Sequence, residues 1–133
     1  MRKIERVFII DDDPIFVFGI QRFLKHAQLG DDFTHFENGE KALIACQDLL
    51  RNDEKLPDLI MVDLNMPVMD GWQFLDAFSS LDIKTSPLVF IVSSSIDPID
   101  LRKAKNYPLV REFVVKPLTA LKLKELVSTY QGA

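Results

Sequence analysis

The sequence predicts an α/β fold, a doubly wound parallel sheet with helices on both faces, and three observations carry that prediction. Residues 7–10, 59–62, 88–92 and 113–115 are apolar at every position rather than at alternate ones. Such runs read as strands buried on both faces, which is how parallel sheets are covered. Between them lie longer stretches with apolar residues at helical spacing, and strand and helix alternate along the chain without interruption. That alternation gives five βα units.

The first strand, Val7, Phe8, Ile9 and Ile10, runs into Asp11, Asp12 and Asp13. Asp13 followed by Pro14 is a helix start, because the aspartate accepts from free N–H groups and proline has no N–H to leave unpaired. The first helix is expected over 14–29, with Phe16, Ile20, Phe23 and Leu24 on one face and a stop at Gly30. Residues 32–36 alternate instead, which predicts a more exposed strand near the sheet edge. The next helices are expected over 39–51 and 71–80. Asp97, Pro98, Ile99 and Asp100 repeat the start signal and open a short helix that ends before Pro108. The last helix covers 119–130, with Leu121, Leu123, Leu126 and Val127 spaced for burial.

At 133 residues, 47% hydrophobic and 27% charged, the chain has the composition of one soluble domain with a single core. Its net charge of −4 excludes nonspecific nucleic-acid binding as the first expectation, since that needs a basic patch. No apolar stretch approaches the ~20 residues that span a bilayer. The first residues, Met1, Arg2, Lys3, Ile4 and Glu5, lack the apolar region of a signal peptide. Cys46 is alone, so no intramolecular disulfide forms, which suits a reducing cytoplasm. Its neighbours Leu43, Ile44 and Leu49 place it in a core. There is no repeat, low-complexity segment or linker, and only Gln131, Gly132 and Ala133 follow the last helix. The expectation is one domain over 1–133, cytoplasmic, with no membrane or nucleic-acid partner.

Chemistry concentrates where the strands end. The first strand ends in Asp11, Asp12 and Asp13, the third in Asp63, and the fifth in Lys116 and Pro117. Open α/β sheets place ligands at these carboxyl edges. Two acidic ends and a lysine have the charges to hold a divalent cation and a phosphoryl group. The fourth strand ends in Ser93, Ser94 and Ser95.

An acidic pair, an aspartate, a hydroxyl and Lys-Pro, in that order over essentially the whole chain, resemble the receiver domain of two-component response regulators, the family of the single-domain chemotaxis regulator. The resemblance implies a (βα)5 flavodoxin-like fold with strand order 2-1-3-4-5, for which that chemotaxis regulator is itself a standard example. It implies a phosphoacceptor that assists its own phosphorylation and dephosphorylation rather than an ordinary enzyme. Asp63 would take a phosphoryl group from a phosphohistidine on a sensor histidine kinase or histidine phosphotransfer protein. Mg²⁺ (or Mn²⁺) would be held directly by Asp12 and Asp63, largely through water by Asp11, and by the backbone carbonyl of Asn65. Lys116 would pair with Asp63 and then with a phosphoryl oxygen, and the bond to Pro117 is often cis in this family. Alignment from the strand end makes Ser93 the switch hydroxyl, with Ser94 its small neighbour, although three serines in a row keep Ser94 open. Phe113 falls where the family often has a switching tyrosine. Asn65 and Ser95 flank the site as candidates for tuning the lifetime of the acyl phosphate. With no output domain, the signal would leave through a contact with a protein target that the sequence does not name, or by onward transfer to a second phosphohistidine site. In the first helix, Phe18 falls opposite the core face beside Arg22, and with Ile15 would make an apolar anchor for the phosphate donor; the alternative is that a local shift buries Phe18 as core.

Each residue has a plainer explanation taken alone. Asp11, Asp12 and Asp13 make a solvated turn with a helix cap, Asp63 a turn, Lys116 a surface charge and Phe113 core; their conjunction at three strand ends is what the plainer explanations leave out. A haloacid-dehalogenase-type phosphohydrolase also uses a strand-terminal aspartate, but Ile15 replaces its usual residue and the later acidic pair is missing. A degenerate receiver acting only as a binding module is opposed by intact Asp12, Asp63 and Lys116. A flavodoxin would need a first loop that cradles phosphate, and three aspartates repel one. His26 and His35 lack acidic or cysteine neighbours at ligand spacing, and Trp72 reads as helix packing.

Overall fold

The computed structural model describes residues 4–131. In chain order the elements are β1 (Arg6–Ile10), α1 (Pro14–His26), β2 (Asp32–Phe36), α2 (Gly39–Arg51), β3 (Leu59–Val62), α3 (Gly71–Ser79), β4 (Leu88–Ser93), α4 (Pro98–Ala104), β5 (Val110–Val115) and α5 (Ala120–Tyr130). The strands form one sheet in the order β2-β1-β3-β4-β5, parallel throughout. The order reverses between β1 and β3, so the crevice beyond their carboxyl ends is the switch point where α/β sheets bind ligands.

Successive strand residues point to opposite faces, and the two faces carry separate cores. Val7, Ile9, Leu59, Met61, Phe90 and Val92 pack against Val17, Ile20 and Leu24 of α1 and Leu123, Leu126 and Val127 of α5. Phe8, Ile10, Ile60, Val62, Val89 and Ile91 pack against Ala42 and Cys46 of α2, Phe74, Leu75 and Phe78 of α3, and Ala104 of α4. Because every buried position in β1, β3 and β4 is claimed by one layer or the other, a slip of one residue would exchange the two cores. Register is therefore strongly specified. Burial pushes the Cys46 thiol up to about 12, so this core cysteine is inert at neutral pH.

Three expectations need correction. β5 is not buried on both faces: it starts at Val110, lies at the sheet edge, and only Val114 is fully buried. An edge strand has a neighbour on one side only, and the charged Arg111 and Glu112 interrupt the apolar run at its start. α1 stops at His26 rather than at Leu29. Gln28 adopts φ 57°, the Leu29 N–H donates to Leu24 O (2.9 Å) and the Gln28 N–H to Lys25 O (3.1 Å). This paired closure ends the helix without a glycine. Leu121 is 69% exposed. At 100° per residue it lies some 200° from Leu123, so both cannot face the sheet.

Candidate functional site

The ladder between β1 and β3 aligns Ile10 with Val62, and the Asp63 N–H donates to Ile10 O at 2.9 Å. On the other side, the Asp11 N–H donates to Phe36 O at 3.0 Å. These backbone bonds set Asp11 and Asp63 side by side, 1% and 6% exposed, while Asp12 faces solvent. One carboxylate oxygen from each of Asp11, Asp12 and Asp63 lies within 4.8 Å of the others. Asp13 turns away to cap α1, accepting from the N–H groups of Ile15 and Phe16. Its own N–H donates to Asp11 Oδ1 at 2.9 Å, which fixes the rotation of the buried carboxylate.

Lys116 enters from β5. Its N–H donates to Ser93 O at 2.8 Å, and its peptide bond to Pro117 is cis. The ammonium donates to Asp11 Oδ2 at 2.9 Å and stands 3.6 Å from Asp63 Oδ2, so its hydrogen-bonded partner is Asp11, with Asp63 the longer ion pair. Burial opposes the charge on Lys116, but the Asp11 hydrogen bond and the two carboxylates outweigh it and raise its pKa above the ordinary lysine value. Asp63 is displaced upward too. Burial and the neighbouring Asp11 charge both disfavour its carboxylate, more than Lys116 and the N–H groups of Asn65 and Leu64 favour it. With three carboxylates against one ammonium, the cleft holds excess negative charge that a divalent cation would neutralise. Three carboxylates with an oxygen each within 4.8 Å of the others are the hard oxygen donors that magnesium prefers, so the donor set fits such an ion.

Ser93 is the last residue of β4 and fully buried, whereas Ser94 is exposed and Ser95 half-buried. Phe113 is half-buried against the α2–α3–α4 core. Asn65 is exposed, and its N–H makes a long 3.5 Å contact to Asp63 Oδ1. Ile15 and Phe18 stand out from α1 at 83% and 61% exposed, with the Arg22 guanidinium 5.6 Å from the Phe18 ring.

Several contacts were not anticipated. The Phe16 ring lies 4.4 Å from Lys116 Nζ, giving that ammonium an aromatic wall. His35 Nε2 is 2.6 Å from the carbonyl oxygen of Asp11. Gly71 lies against the Asp63 backbone, where a Cβ would come 2.4 Å from Asp63 O. A glycine eight residues past a strand-end aspartate was legible as a helix start, but its close approach to Asp63 was not.

Fold and site together define a parallel α/β protein with an acidic switch-point cleft crossed by a lysine. The model of the response regulator receiver domain matches residues 7–128, and the chain belongs to that family. It is 30% identical to the two-component response regulator ORR41 of Oryza sativa subsp. japonica, over 99% of this chain and 98% of that one. A crystal structure of a two-component response regulator from Cytophaga hutchinsonii superposes with TM-score 0.85 at 31% identity, covering 99% and 100% of the two chains. The receiver domain of a Pseudomonas aeruginosa sensor histidine kinase, with a magnesium ion coordinated in its active site cleft, shares the fold (TM-score 0.78, 15% identity, 98% and 99% covered). The chain spans about half the length of several other curated relatives it matches.

Proposed function

We propose that Asp63 accepts a phosphoryl group from a phosphohistidine on a sensor histidine kinase or histidine phosphotransfer protein, and that the resulting state is read through a protein-binding surface. The observation that carries this is the convergence of Asp11, Asp12, Asp63 and Lys116 in one cleft at the switch point. In the transfer, an Asp63 oxygen forms a bond to phosphorus as the phosphorus–nitrogen bond to histidine breaks. The imidazole leaves with its electron pair, and Asp63 becomes an acyl phosphate. Such transfers need alignment and charge neutralisation more than a strong nucleophile.

Asp11, Asp12 and Asp63 would hold Mg²⁺, with the Asn65 carbonyl as a further ligand; when bound, the ion neutralises charge on the phosphoryl oxygens. The magnesium seen in the Pseudomonas neighbour is in keeping with this. Lys116 shifts from its carboxylate partners to a phosphoryl oxygen, a role for which a compact ammonium on a flexible stem suits. The burial of Ser93 and the exposure of Ser94 favour Ser93 as the hydroxyl that then binds the phosphoryl group, with Phe113 filling the space it vacates. The differential affinity of the phosphoryl group for the two loop positions shifts the population.

Intact mass after incubation with acetyl phosphate and Mg²⁺ tests the proposal. One phosphoryl mass is expected, absent in Asp63→Asn and in excess chelator. Undiminished labelling of Asp63→Asn would move the acceptor elsewhere; no labelling of the unaltered protein would leave a binding module.

A further inference from the structure

The loop that follows the proposed switch hydroxyl is tied to α3 by side-chain hydrogen bonds that the transfer chemistry does not use. The Ser95 N–H donates to Ser93 Oγ at 3.2 Å, and Ser95 Oγ donates to Asp100 Oδ2 at 2.5 Å. The other oxygen of Asp100 accepts from Trp72 Nε1–H at 3.1 Å. Asp100 lies in the first turn of α4 and Trp72 is the second residue of α3, so one carboxylate joins the β4–α4 loop to α3. All three side chains are half-buried.

The far end of this chain is held as well. The Trp72 ring stacks on Tyr107 at 5.5 Å and 28°, and Lys103 Nζ lies 4.7 Å from its centroid. The Tyr107 hydroxyl donates to Asp76 of α3. Adjacent to Trp72, Gly71 packs on the Asp63 backbone and its N–H donates to Leu64 O at 3.0 Å. The contacts therefore close a circuit from Asp63 through Gly71 and Trp72 to Asp100, Ser95 and Ser93, and back to the cleft.

We propose that Asp100 is a positioning residue that latches the Ser93–Ser95 segment to Trp72 in the unphosphorylated arrangement, and that Trp72 moves when the latch opens. This rests on Asp63 being the phosphoacceptor. Ser93 Oγ is bound to the Ser95 amide, so drawing Ser93 toward a phosphoryl group draws Ser95 with it, against the Asp100 carboxylate. The latch stabilises one of two loop positions and the phosphoryl group the other, which is what a two-state element requires. Removing Asp100 withdraws the partner of two hydrogen bonds from the resting position alone.

Trp72 is the sole tryptophan, so its emission reports the ring directly. Beryllofluoride with Mg²⁺ serves as the phosphoryl mimic, its affinity read from protection of Asp63 against acetyl phosphate labelling. In the unaltered protein, saturating beryllofluoride should shift the Trp72 emission. Asp100→Ala should start with emission near the shifted value and bind beryllofluoride about 25-fold tighter, the factor two net hydrogen bonds of about 1 kcal/mol each contribute. Asp100→Asn, which accepts from Trp72 and donates to Ser95, should restore both readouts. Trp72→Phe keeps a ring on Tyr107 but loses the N–H, one of the two bonds, and should tighten binding about fivefold whether or not Asp100→Ala folds. Unmoved emission in protein that binds beryllofluoride, or unchanged affinity in Trp72→Phe, would overturn the latch while leaving the acceptor in place. Failure of the unaltered protein to label at Asp63 would remove the acceptor and the latch with it.

Discussion

The two walls of the cleft are built by different bonds. On the acidic wall, Asp11 and Asp63 are seated by backbone hydrogen bonds that continue the sheet ladder, to Phe36 O and Ile10 O. On the hydroxyl wall, the sheet ends at Ser93, and residues 94–97 are held by the side chains of Ser93, Ser95 and Asp100. Moving the acidic wall would break strand register and mix two packed cores. Moving the hydroxyl wall exchanges a few side-chain hydrogen bonds of about 1 kcal/mol net each. A site divided this way has one wall fixed by the sheet and one held by few bonds. Lys116 spans the division, with its N–H on Ser93 O and its ammonium between Asp11 and Asp63.

The largest expected effect comes from removing that span. Lys116→Ala leaves two nearly buried carboxylates facing each other, and in chelator it should destabilise the fold by roughly 3 kcal/mol. Added Mg²⁺ should recover most of the loss in a thermal melt. Equal losses with and without the ion would mean that Lys116 acts by packing on Phe16 instead.

Asp63→Asn tests the same wall from the opposite side. The Asp63 pKa is raised in the fold, so its contribution to stability is fully present below the ordinary carboxylate range and is lost as pH rises through the folded value. At neutral pH the ionised group therefore opposes folding, and Asp63→Asn should melt higher by about 2–4 °C in chelator. That gap should close as pH falls into the ordinary carboxylate range. A variant that melts lower at neutral pH would show the acidic wall to be held together by Asp63 rather than strained by it.

Phe18→Ala should have the smallest effect on stability, within about 0.5 kcal/mol, because the side chain is exposed on α1. If the acidic wall is also where the phosphate donor docks, this variant slows transfer from a phosphohistidine protein and leaves acetyl phosphate labelling unchanged. Ile99→Ala, at an exposed position in the first turn of α4 beside the hydroxyl wall, then leaves transfer at its original rate. Equal slowing by both would erase the division between the walls.

Among the described residues no helix is long and apolar enough to cross a membrane, and the local pattern of the chain already determined most of the architecture. The apolar runs of β1, β3 and β4 are buried on both faces, Asp-Pro pairs start α1 and α4, and Asp11, Asp63, Ser93 and Lys116 stand at the carboxyl ends of four strands. These are properties of neighbouring residues, so they are legible from neighbouring residues. Pairing decided the rest. The edge position of β5 depends on which strands flank it, and the inward turn of Ser93 rather than Ser94 depends on register with Val115. The choice of Asp11 as the hydrogen-bonded partner of Lys116, and the bond from Trp72 to Asp100, join segments far apart in the chain. No short-range periodicity encodes them, because the distance between such groups is set only when both cores have packed.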